Sequence, residues 1–69
     1  MHGNPTVGAK MAKARKEKGL TQAELAQLLG ITQRMVAAVE AGERRPSVDL
    51  AKRIGQVLDI PWMEFFEDE

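Results

Sequence analysis

Side chains able to carry covalent chemistry are few. His2 is the only histidine and Ser47 the only serine among 69 residues, and cysteine is absent. A lone histidine in an expected mobile arm reads as an ordinary exposed residue, and Ser47 precedes a helical run, where its hydroxyl serves best as an N-cap. No phosphate-cradling glycine loop and no metal-ligand spacing appears, so an enzyme is the weakest class. Neither a cofactor, a metal nor a small-molecule substrate is expected. The polar side chains that remain suit recognition better. Gln33 and Arg34 share one side of a 100° wheel with Ala37, Ala38 and Ala41. Two hydrogen-bonding heads followed by bare methyl groups form a face that another molecule can approach closely.

The elements that must position this face are written in stop and start signals, with no strand-like alternation. A first helix is expected from Val7 to Lys18, with Val7, Met11 and Ala14 on one stripe and Gly19 just past its end. Thr21-Gln22-Ala23-Glu24 reads as a capping box opening a second helix, whose apolar face is Leu25, Leu28 and Leu29 and which Gly30 ends. Thr32 caps a third helix from Gln33 to Ala41, with Thr32, Val36 and Val39 inward and Gly42 as terminator. Ser47 caps a fourth ending near Leu58, and Pro61 opens a last short turn holding Trp62, Met63, Phe65 and Phe66. The fold class is therefore all-α, a compact five-helix bundle. Residues 1–6 are expected as a flexible arm, 7–66 as the single domain and 67–69 as an acidic tail.

Two helices joined by Gly30-Ile31-Thr32 form a short helix-turn-helix spanning about residues 22–41. Leu25, Leu29, Ile31, Val36 and Val39 point inward in that geometry, with Ala26 small where the helices approach. With Arg15, Gly19-Leu20-Thr21-Gln22, Glu24-Leu25-Ala26, Gly30-Ile31-Thr32-Gln33, Val39-Glu40-Ala41-Gly42 and Arg45-Pro46-Ser47 in register, the chain resembles the Cro/cI-type (XRE) helix-turn-helix regulators from about Val7 to Phe66. The resemblance implies a lambda-repressor-like bundle that binds double-stranded DNA, the second helix crossing the phosphate backbone and the third lying in the major groove.

Gln33, Arg34, Ala37 and Ala38 are then the base-contacting candidates. Glutamine can bond an adenine edge, arginine a guanine edge, and alanine can touch a thymine methyl. Phosphate contacts are expected from Gln22, Thr32, Arg44 and Arg45 at the helix ends. The resemblance also implies a partly buried ion pair between Arg15 and Glu40, which would fix the first helix against the third. Ala38, Ala41 and Glu43 depart from the polar or basic residues often found there. With the acidic C-terminus, they motivate an alternative: an antitoxin-like or protein-interaction module with little DNA readout.

The fourth helix carries more apolar surface than one packing face needs. Val48, Ala51, Ile54, Gly55 and Leu58 read as its core stripe, leaving Leu50, Val57 and Trp62 as a candidate homodimer surface. A twofold dimer would present two recognition helices about 34 Å apart, one DNA turn. The charge pattern agrees. Ten Lys+Arg balance ten Asp+Glu, yet residues 1–45 hold eight cationic against four acidic side chains, +4, and residues 46–69 hold two against six, −4. Since fields act over a Debye length of about 8 Å, the basic section can attract DNA despite the neutral total. The longest apolar run, Met35 to Val39, is far short of a membrane span, and no signal peptide is visible. A cytoplasmic regulator, of repressor or controller type, is the expectation.

Overall fold

The computed structural model describes residues 6–67. It contains α1 (Val7–Glu17), α2 (Gln22–Leu29), α3 (Gln33–Glu40) and α4 (Val48–Leu58), followed by a 3-10 turn at Trp62–Phe66. Four α-helices and one 3-10 turn replace the five helices expected. The last segment, Trp62–Phe66 behind Pro61, is a single short piece wound in the tighter three-residue repeat that suits such turns. Residues 1–5 and 68–69 of the expected arm and tail lie outside the described residues.

Each helix begins where a hydroxyl can meet an orphan amide. The side chains of Thr6, Thr21, Thr32 and Ser47 accept from the amides of Ala9, Glu24, Met35 and Leu50, at 3.1, 3.0, 3.1 and 3.1 Å. At α2 the box is complete, because the Thr21 amide donates to Glu24 Oε1 at 2.8 Å. Gly30 closes α2 with φ 72°, the left-handed conformation that a side chain resists, and turns the chain into α3 within two residues.

The core gathers Met11 from α1, Leu25, Ala26 and Leu29 from α2, Val36 and Val39 from α3, Leu50, Ala51, Ile54 and Leu58 from α4, and Phe65. The expected dimer residue Leu50 is thus a core residue, while Val48, expected inside, is exposed. The inward stripe of α4 is turned from the one expected, and Val48 stands in the first turn, outside it. Leu28, expected on the inner face of α2, is 60% exposed and also belongs to the surface. α1 meets α3 backbone to backbone at Gly8, where a Cβ would lie 2.3 Å from the Glu40 carbonyl oxygen. No residue but glycine fits that approach without displacing one of the helices.

A candidate nucleic-acid interface

Below the recognition face lies a buried polar node. Arg15, 7% exposed, donates through Nε to Glu40 Oε2 at 2.7 Å and through one terminal nitrogen to Glu40 Oε1 at 3.2 Å. Its other terminal nitrogen donates to the Leu20 carbonyl at 2.8 Å. One guanidinium therefore ties α1 to the α1–α2 turn and to the end of α3. Arginine's planar fork suits this task, since it engages both carboxylate oxygens at once. Gln22 completes the node, its Nε2 donating to Glu40 Oε1 at 3.0 Å. That amide, assigned from the sequence to phosphate contact, is engaged inside the protein, which leaves the Gln22 carbonyl and the first-turn backbone for any phosphate.

With Val36 and Val39 buried and Glu40 gripped, the orientation of α3 is set from within. Its other side carries Gln33 and Arg34, both exposed, and Ala37 and Ala38, both half-buried. Thr32, expected on the inward side, is instead exposed, because its hydroxyl oxygen is used at the surface as the cap of α3. At the far end the loop folds back: the amides of Gly42 and Glu43 donate to the Val39 and Ala38 carbonyls at 3.1 and 2.9 Å, and that of Arg44 to Ala38 at 3.3 Å. Those bonds satisfy late carbonyls of α3 and deliver exposed Arg44 and Arg45 beside its C-terminus. Arg45 lies 5.7 Å from the centre of the Phe66 ring.

The expected dimer surface is reduced and rearranged. Leu50 is removed to the core, and Val57 and Trp62 are half-buried. Trp62 meets Phe66 edge-on at 6.1 Å and carries Lys52 Nζ at 5.1 Å over its ring. Exposed Met63 and Val48 are apolar surface that the sequence reading missed. The acidic segment also returns to the basic one. Lys10 pairs with Glu64 at 3.4 Å and Lys18 with Asp59 at 3.1 Å, and a groove beside α1 is lined by Lys10, Arg44, Arg45, Glu43, Glu64 and Glu67. Among the described residues no helix is long and apolar enough to cross a membrane, and no acidic or histidine cluster could hold a metal ion.

A family profile described as Helix-turn-helix matches residues 11–65. The chain is 43% identical over 58 residues to the Uncharacterized HTH-type transcriptional regulator YqaF of Bacillus subtilis, covering 84% of this chain and 76% of that one. It is 50% identical over 57 residues to an Uncharacterized HTH-type transcriptional regulator of Methanothermobacter thermautotrophicus, covering 80% and 83%. Among solved structures, an HTH_3 family transcriptional regulator from Vibrio cholerae superposes with a TM-score of 0.72 at 27% identity over 90% of this chain, which spans 35% of that longer one. Two capped helices about a left-handed glycine, packed on a buried arginine–glutamate pair and matched along most of the sequence, place the chain in the Cro/cI-type helix-turn-helix family of DNA-binding transcriptional regulators, a non-enzymatic class.

Proposed function

We propose that this protein is a sequence-specific transcriptional regulator, of repressor or controller type and cytoplasmic, that reads the DNA major groove with α3 as a homodimer. The observation that carries the reading is the two-sidedness of α3: Val36, Val39 and Glu40 are held by the protein, while Gln33 and Arg34 are exposed beside the half-buried Ala37 and Ala38. A helix held on one side is already oriented before it meets a base, so little ordering is left to oppose binding. In this reading Gln33 and Arg34 bond adenine and guanine edges, and Ala37 and Ala38 allow close approach to thymine methyls. Thr32, Arg44, Arg45 and the first turn of α2 at Gln22 hold phosphates on either side. Val57 and Trp62 supply the dimer contact, extended by Met63.

Selection of bound sequences from random duplex DNA, followed by a salt titration on the recovered site, tests this. The expected result is a two-half-site sequence with affinity falling steeply as salt rises. Sequence-independent binding, or none at low salt, would overturn it. A protein-interaction or antitoxin-like role is the second reading, favoured by the Gln22 amide being engaged on Glu40 and by Glu43 standing beside Arg44. It would survive the second outcome.

A further inference from the structure

The Arg53 guanidinium on α4 donates to the Leu29 carbonyl, the last residue of α2. The contact joins positions 24 residues apart and reaches the point where the chain leaves α2 for α3. It answers two local needs. The last carbonyls of a helix have no partner within it and carry partial negative charge, and α2 has no basic residue in its own last turn. Arg53 provides a cation and a donor from another helix. It also lies over the turn itself, since a Cβ built on Gly30 would be 3.5 Å from the same guanidinium nitrogen.

From this placement we propose that Arg53 is a positioning residue for DNA reading, which fastens the turn between α2 and α3 to α4. The inference rests on the function proposed above. α4 and the turn behind it carry the proposed dimer contacts, and α3 begins three residues after Gly30. A bond between α4 and that turn therefore relates the reading face of each protomer to the twofold axis. The base preference of one half-site belongs to α3 alone, whereas the preferred distance between half-sites depends on how α3 is held relative to α4. Arg53 acts on the second quantity and touches no base.

The test uses the full chain as wild type, Arg53→Ala and Arg53→Lys, with two readouts. The first is amide hydrogen exchange at Ile31, whose N–H donates to the Ala26 carbonyl at 3.0 Å across the turn, compared with core amides of α4 such as Ile54. Arg53→Ala should speed exchange at Ile31 roughly tenfold, the scale of one lost charge-assisted hydrogen bond, and leave Ile54 unchanged. The second is affinity for the selected operator and for versions with the half-sites one base pair closer or farther. Arg53→Ala should flatten the spacing preference while keeping the base preference within each half-site, and Arg53→Lys should restore most of both effects. Unchanged exchange at Ile31, or equal acceleration at Ile31 and Ile54, would overturn the clamp, the latter because it marks a general loss of stability. An intact spacing preference in Arg53→Ala would overturn the role in reading. Wild-type protein that selects no operator would overturn the regulator and that role together, with the exchange result still deciding whether the turn is clamped.

Discussion

Two nitrogens of Arg15 and the amide of Gln22 all donate to the Glu40 carboxylate. The ion pair is almost dry, with side chains 9% and 7% exposed. Taking two charges from water costs much of what their attraction returns, so the pair is better understood as fixing geometry. Removing one partner is a different matter, because a buried guanidinium is then left without its counter-charge. Glu40→Ala is therefore expected to destabilise the fold by about 3–5 kcal/mol, measured by urea unfolding. The ion pair could be anticipated from the family resemblance, with Arg15 at the edge of its helical stripe. Gln22 could not be read in the same way. Its partner lies 18 residues away and is brought near only by the crossing of α2 and α3, which helical periodicity does not encode.

At the scale of elements, the helix starts were the most legible feature, since a hydroxyl and an amide three residues apart interact wherever the chain turns helical. The facing of α4 was not. A helix apolar over half its circumference satisfies the hydrophobic pattern in several rotations, and only packing against α1, α2 and the 3-10 turn selects the one that buries Leu50 and exposes Val48. The approach of α1 to α3 was equally hidden, because Gly8 inside a helix reads as a mere weak point. Its role yields a prediction. Gly8→Ala improves helix propensity yet drives a methyl into the Glu40 carbonyl, so the variant should lose about 1–3 kcal/mol, read as a lower urea midpoint.

For the whole molecule, the charge separation seen along the chain is partly undone by folding. The Lys10–Glu64 and Lys18–Asp59 pairs bring the acidic segment against the basic one. Such exposed pairs contribute little to stability, about 0–1 kcal/mol each, but they mute the positive field near α1. That concentrates the burden of phosphate binding on the helix ends and on Arg44 and Arg45. Arg45→Ala should weaken binding to all sequences alike and lower the salt slope by about one phosphate contact, as followed by titration from low to moderate salt. Gln33 should behave otherwise, because a base contact discriminates among sequences and a phosphate contact does not. The decisive measurement sets wild type and Gln33→Ala against every single base-pair substitution of the selected operator at one salt concentration. Reading by α3 predicts a loss of about 1–3 kcal/mol with the selected operator, and indifference to the base at one position in each half-site, with all other preferences kept. A uniform loss across the panel, or a base preference identical to wild type, would contradict it.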